Sequence, residues 1–261
     1  MKFDETNLPS RLIPYAVKSI TAQPFRPMHL PYLSEAILTK NDAPLIEAVG
    51  MVIDFDVNQL TEGDFYHILT WLRFHSRDLP IFANWECDGV VFTREGDESG
   101  KIYTIADIDL MHEQWELAKD TEAQEHMENP FEIVFIEQDC EHYNEQFAQW
   151  GDFKMMQMDP EPLGDDRLDY PRVRDMVASK DLGTDVRTQK VLGPLRFIKE
   201  GRTMHERWAN IEKIDMELYD KAARASHKYN HGILQRIHKK CEKCGTSYPF
   251  DVSIDAHSFF V

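Results

Sequence analysis

Apolar residues at Phe65, Ile68, Leu69 and Leu72 repeat at the spacing of a single helical face. Thr61-Glu-Gly-Asp64 precedes them in the form of an N-terminal cap, so an amphipathic helix is expected from there. A helix is also expected to open at Pro31, whose ring suits a first turn, and to carry Tyr32, Leu33, Ala36 and Ile37. The apolar stretch from Leu45 to Phe55 reads as another helix. After the Phe65 helix the period changes to two. Pro80 to Cys87, Val90 to Thr93 and Lys101 to Ile105 read as three strands of a small meander, the last two joined across Glu95-Gly-Asp-Glu-Ser-Gly100. The spacing of Leu110, Trp115 and Leu117 is partly helical, and Phe131 to Ile136 is a short apolar run compatible with helix or strand. Ile211, Ile214, Leu218, Ala222, Ala225, Tyr229, Ile233 and Ile237 recur every three or four residues and predict one long amphipathic helix with a basic outer face. A short strand pair from Ser247 to Ile254 follows it.

This pattern gives an α+β fold class. A helical N-terminal part with a small antiparallel meander is followed by a long helix and a zinc-ribbon-like hairpin. Breaker residues divide the chain. Residues 1 to 30 are proline-rich and read as an arm, and Asp159 to Leu168 is rich in proline, glycine and acids. The expected division is 1–158 for arm, helices and meander, 159–170 for a linker, and 171–261 for a helical unit with a C-terminal Cys-x-x-Cys hairpin. The halves also show a weak internal echo. Trp85-Glu-Cys-Asp-Gly89 and Cys241-Glu-Lys-Cys-Gly245 each follow a helix, and each half ends on an Ile-Asp pair.

Charge narrows the function. Asp and Glu outnumber Lys and Arg by 46 to 29, a formal net charge of -17. Duplex-binding proteins displace counterions with a basic surface, so nucleic acid is not the expected partner. A basic protein is. No apolar run approaches the roughly 18 residues of a membrane helix. The first residues carry acids where a secretory signal has a basic and then an apolar block, so the chain is expected to stay where it is made. Within the chain the sign reverses. Residues 107 to 145 hold thirteen acids and one base, Lys119, whereas residues 196 to 243 hold twelve Lys or Arg against seven acids. These stretches can pair within the chain or between copies, the latter giving a homo-oligomer.

Cys241-x-x-Cys244-Gly245 is the sharpest chemical signal, because a knuckle turn points two thiolates at one metal and the glycine allows the turn. A structural zinc needs four ligands. The candidates to complete it are Cys140 with His142, Cys87, His238 and His257, and Cys140-Glu-His142 brings two ligand types closest together. The candidate set for one structural Zn is therefore Cys241, Cys244, Cys140 and His142. A vestigial ribbon, folded through its hairpin alone with free thiols, is the reading preferred over it, and disulfides are not expected. Asp107-x-Asp109 offers a pair of carboxylates for a divalent metal, as in nucleases, but the surrounding acids are unpatterned. A solvated or partner-binding acidic face is the better reading. His67, His75 and His205 read as structural or surface residues. Phosphate loops, nucleophile elbows and HExxH motifs are absent from the sequence.

The order of several short motifs is similar to that of a known family. Leu8-Pro-Ser-Arg11 is followed by Arg26-Pro27 and then by Leu60-Thr-Glu-Gly-Asp64. That leads into Leu69-Thr-Trp-Leu-Arg73-Phe-His-Ser76, a strand and a cysteine knuckle. This resembles the baseplate hub assembly proteins of contractile-tailed phages over residues 8 to 110 and, more faintly, 211 to 257. The first knuckle departs from the pattern, with Asp88 and Gly89 after Cys87, so the metal is expected at the second. The resemblance implies a non-catalytic tail baseplate component or assembly chaperone. Its partners would be hub, tape measure or other tail proteins, and it would sit in the host cytoplasm during assembly or in the virion tail baseplate. The alternatives are a zinc-ribbon adaptor, or a metal-dependent hydrolase or nuclease built on Asp107 and Asp109.

Overall fold

A computed structural model describes residues 1–260 except Asp78, Asp120, Pro162 and Thr184. It is a mixed α+β protein, 41% helix and 19% strand, with small antiparallel sheets. In chain order the elements are β1 (Lys2–Phe3), β2 (Ile20–Thr21), α1 (Leu30–Thr39), α2 (Ala43–Gly50), α3 (Glu62–Ser76), β3 (Ile81–Glu86), β4 (Val90–Arg94), β5 (Ile102–Tyr103) and α4 (Ile105–Leu117). There follow β6 (Phe135–Asp139), β7 (Tyr143–Ala148), β8 (Met155–Met156), α5 (Val173–Leu182), α6 (Val186–Leu195), α7 (Met204–Ala209), α8 (Met216–Lys228), β9 (Gly232–Ile233), β10 (Arg236–Lys240) and β11 (Ser247–Asp251).

The chain packs as two compact units, both discontinuous. The first contains Met1–Pro80, Gln149–Gln235 and Val252–Val261, and the second Ile81–Ala148 and Arg236–Asp251. Packing thus divides the chain otherwise than the linear cut into 1–158, 159–170 and 171–261. The stretch expected as a linker is largely structural. Leu168 and Tyr170 lie in an apolar core with Leu192, Leu195, Ile198 and Leu218, and the Asp169 amide donates to the Phe197 carbonyl at 2.8 Å. Pro162, within that stretch, lies outside the described residues.

In the first unit α3 is the central helix. Thr61 caps it, Glu62 and Asp64 stand in its first turn, and Arg73 and His75 in its last, which suits the helix dipole at both ends. Phe65, Ile68, Leu69 and Leu72 are buried, as their spacing predicts. Asp64 is buried as well, and it ties down the N-terminal arm. Its carboxylate accepts from the Ser10 amide at 2.8 Å and from the Tyr15 hydroxyl at 2.6 Å. Leu8-Pro-Ser-Arg11 is therefore seated on the start of α3. α1 opens beside Pro31 as expected, and the second helix stops at Gly50, short of Phe55. Phe259 is fully buried, 5.3 Å from the Phe25 ring, while Phe260 stays partly exposed; Val261 lies outside the described residues.

The long C-terminal helix does not form. Ile211 lies in a single 3₁₀ turn, α8 runs only from Met216 to Lys228, and Ile233 and Ile237 lie on strands. A glycine ends the periodicity. Gly232 takes φ +138°, and its missing Cβ would stand 3.1 Å from the Gly63 Cα. A continuing helix fits neither that backbone nor that space. Leu218, Ala222 and Ala225 form the buried stripe of the shortened helix. Its two lysines are matched within the first unit. Lys221 pairs with Asp165 and Glu217, and Lys228 with Asp159 and Glu161, rather than with the acids of residues 107 to 145.

In the second unit the three-strand meander is not the observed arrangement. β3 pairs with β7, and β4 lies between β5 and β6. Ile81 faces Ala148, Glu86 faces Tyr143, Val90 faces Asp139 and Arg94 faces Phe135. The two ladders share one antiparallel register, so β3 and β4 read as halves of one interrupted strand and β6 and β7 as halves of its partner. Across the join the Cys87 amide donates to the His142 carbonyl at 2.9 Å, and the Cys140 amide to the Gly89 carbonyl at 2.8 Å. β10 and β11 form a separate hairpin with Cys241 to Gly245 at its turn. α4 is capped by Thr104 and buries no side chain fully.

Candidate metal centre

The join in the ribbon and the turn of the hairpin bring all four cysteines together. The Sγ atoms of Cys87, Cys140, Cys241 and Cys244 lie within 4.8 Å of one another, and all four residues are buried. Cys87 and Cys244 are 3.3 Å apart and Cys140 and Cys241 3.8 Å, both too far for a disulfide. A tetrahedral Zn–S₄ centre with bonds of about 2.3 Å places its sulfurs about 3.8 Å apart. The observed sulfurs fit that spacing.

Each cysteine has a local reason for its position. The hairpin turn is closed by the Cys241 amide donating to Thr246 and the Gly245 amide to Cys241, both at 2.9 Å, and Gly245 adopts φ +76°. On the ribbon side, Gly89 supplies clearance. A Cβ there would stand 3.0 Å from Cys244 Sγ and well inside contact with Thr246 Oγ1. The Gly89 amide donates to Cys87 Sγ at 3.3 Å.

Polar groups surround the sulfurs. Asn144, buried on β7, donates through Nδ2 to Cys241 Sγ at 3.3 Å and to the His142 carbonyl at 3.1 Å. Its Oδ1 accepts from the Glu242 amide at 3.0 Å. Thr246 Oγ1 lies 3.1 Å from Cys244 Sγ and Tyr248 Oη 3.3 Å from Cys87 Sγ. Groups around a metal commonly do this work, orienting ligands and stabilising thiolate charge. The electrostatics differ among the sulfurs. Burial pushes Cys140 up to about 12 and raises Cys87 also. Burial acts on Cys241 in the same sense, but the amides of Cys244 and Lys243 and the Asn144 side chain outweigh it and bring the thiol down to about 6.

Three of the four residues expected from the sequence, Cys140, Cys241 and Cys244, are in the group. His142 is not; Cys87 takes its place. In an uninterrupted strand residues 140 and 142 share a face, but Glu141 adopts φ +46° and breaks the alternation between them. The first knuckle, whose Cys87 was one of the candidates to complete the site, thus contributes one sulfur to the same cluster as the second. Its single cysteine after a strand, with Gly89 behind it, was the available signal. His238 lies on β10 and His257 in a 3₁₀ turn of the first unit, and neither joins the group.

The carboxylate pair does not converge. Asp107 and Asp109 sit two apart on α4, where side chains do not face each other. The Asp107 carboxylate accepts from the Thr104 amide at 2.8 Å and hydroxyl at 2.7 Å, which holds its pKa below the usual carboxylate range. Among the described residues the four cysteines are the one group of three or more such side chains placed so that they could hold a metal ion.

No protein-family model, curated protein or solved structure matches the chain.

Proposed function

We propose that this chain is a non-catalytic assembly protein whose second unit is held together by one structural zinc on Cys87, Cys140, Cys241 and Cys244. The observation that carries this reading is the convergence of four buried sulfurs from three separated segments. The second unit needs such a staple. Apart from the cysteines, its fully buried apolar side chains are few and small, chiefly Ala83, Val91, Ala148 and Ile237. Units with little core of their own are commonly fixed by metals. The hairpin β10–β11 then serves as one half of a zinc-ribbon-like centre and the joined ribbon as the other.

The assembly in question is the phage tail baseplate implied by the motifs at residues 8 to 110. Two of those motifs serve the fold, which accords with a structural rather than a chemical role. Thr61 caps α3, and Asp64 binds the backbone of Leu8-Pro-Ser-Arg11. Retained in the particle, the chain is a baseplate component; released from it, an assembly chaperone.

The test of the metal is elemental analysis of purified protein, with hydrogen exchange before and after chelation. One zinc per chain is expected. Chelation should strip protection from the Cys87, Cys140 and Cys241 amides and leave that of α3. Absence of metal, or iron in place of zinc, or exchange indifferent to chelation overturns the zinc reading. For the assembly role, mass spectrometry of purified particles and of infected-cell lysate decides. Absence from both overturns it.

A further inference from the structure

The β3–β7 ribbon has two different faces. Ala83 and Trp85 point one way, and Trp85 lies against Tyr248 and Phe250 of the hairpin, ring centroids 5.4 and 5.1 Å away. The other face carries three cross-strand pairs in register: Phe82 opposite Phe147, Asn84 opposite Glu145, and Glu86 opposite Tyr143. All six residues are exposed. Phe82 is 62% exposed, Tyr143 57% and Phe147 47%, and the two phenylalanine rings are 5.0 Å apart. Large aromatics this open on a regular ribbon leave about half or more of their surface to solvent. Surface aromatics grouped in this way mark contact sites.

The chemistry of the face names its occupant. Two carboxylates stand among the rings, and the face has no cation. The second unit as a whole holds twenty Asp or Glu against seven Lys or Arg, so most of the chain's excess negative charge is here. An apolar partner alone would leave the carboxylates unmatched, and a second copy would bring like charge to like. Guanidinium groups satisfy both features. They stack on aromatic faces within about 6 Å of the ring centroid and pair bidentately with carboxylates.

We propose that the Phe82–Phe147–Tyr143 face, with Glu86 and Glu145, docks an arginine-rich segment of a partner protein. This rests on the assembly reading and gives it a surface and a partner chemistry. Neighbouring cross-strand pairs on one face are about 6.7 Å apart along the strands, so the face accommodates an extended segment presenting alternate side chains.

The experiment uses the full chain and fluorescein-labelled nona-arginine, read by fluorescence anisotropy at physiological salt. Phe82→Ala with Phe147→Ala changes no charge and removes only exposed side chains. It is expected to weaken binding at least tenfold, and nona-lysine is expected to bind the native chain more weakly than nona-arginine. Glu86→Gln with Glu145→Gln should cost more than Asp109→Asn with Glu113→Gln, an equal loss of charge on α4. Unchanged affinity in the double phenylalanine variant overturns the proposal, as does equal binding of nona-lysine. A native dimer that the same variant makes monomeric assigns the face to a second copy and also overturns it. Metal content is measured on every sample. Loss of the docking result with zinc intact refutes this face alone, whereas missing zinc refutes the metal reading and leaves the docking result to stand or fall by itself.

Discussion

Asn144→Asp exchanges one atom of the side chain and reverses one interaction. Oδ1 can still accept from the Glu242 amide, but an oxygen replaces the Nδ2 that donates to Cys241 Sγ at 3.3 Å and to the His142 carbonyl at 3.1 Å. Two effects follow. The N–H···S bond to a charged sulfur is lost, at about 1.5–3 kcal/mol. In addition, two unit charges 3.3 Å apart repel by about 5 kcal/mol at an effective dielectric constant near 20. The introduced carboxyl can escape by taking up a proton, which at pH 7 costs about 4 kcal/mol from an ordinary aspartate. It then donates to the sulfur again, so the total penalty is limited to about 4 kcal/mol, or three decades of affinity. Asn144→Leu removes the donor without adding charge and should weaken zinc about 10–100-fold, as losses of outer-shell partners do. The expected order of zinc affinity is native, then Asn144→Leu, then Asn144→Asp, the last down by roughly 100–1000-fold at pH 7. Competition against a chromogenic chelator measures all three. Native-like affinity in Asn144→Asp, or tighter binding than in Asn144→Leu, refutes the claim that this side chain supports a metal thiolate.

Gly89→Ala should make the metal easier to strip and cost about 1–3 kcal/mol by overpacking, since its Cβ meets Thr246 Oγ1 and Cys244 Sγ; chelator-dependent melting checks it. His67 is buried between Phe3 and Trp150, and burial lowers its pKa to about 4 against a small opposing pull from Asp64. The unfolded chain therefore binds a proton that the folded chain refuses. Stability is unaffected above pH 6.5 and falls as pH drops from 6.5 toward 4, by about 3 kcal/mol in total. His67→Gln should flatten that part of the curve in denaturant titrations. Arg207 and Asp175 form a buried pair at 3.5 Å in the first unit. Arg207→Met should destabilise that unit by about 3–5 kcal/mol, because it leaves a buried carboxylate without its cation; urea unfolding followed by hydrogen exchange in α5 reads the loss.

The helices most legible in the sequence were those whose signals were local. The cap at Thr61 and the stripe at Phe65, Ile68, Leu69 and Leu72 lie within twelve residues, and α3 forms where they place it. The long C-terminal helix failed because periodicity is only one local signal. Asn230-His-Gly232 lies inside the pattern, and a glycine at φ +138° against Gly63 is decided by a distant part of the chain. The meander held only in its second half, where β4 pairs with β5 across the expected turn, and its first half failed for a similar reason. β3, β4 and β5 follow one another in sequence, but β3 finds its partner in β7, and the acidic stretch with α4 intervenes.

The candidate centre shows the same limit and how it can be passed. Cys241 and Cys244 were legible because the knuckle carries both sulfurs and its glycine. Cys87 and Cys140 are 53 residues apart, and nothing near either names the other. What joins them is the register of the ribbon. Once Ile81 faces Ala148, the ladder brings Cys87 level with His142 and Gly89 level with Cys140, so both cysteines fall at the join. The neighbourhood of Cys140 and His142 favoured His142 where the structure brings Cys87 to the group, for the same reason: spacing along one strand was weighed, while pairing across two strands decides. A pair of lone cysteines, one of them two residues before a glycine, is therefore worth testing as a cross-strand partner for a Cys-x-x-Cys turn. The strand pairing is what turns two isolated thiols into half of a site.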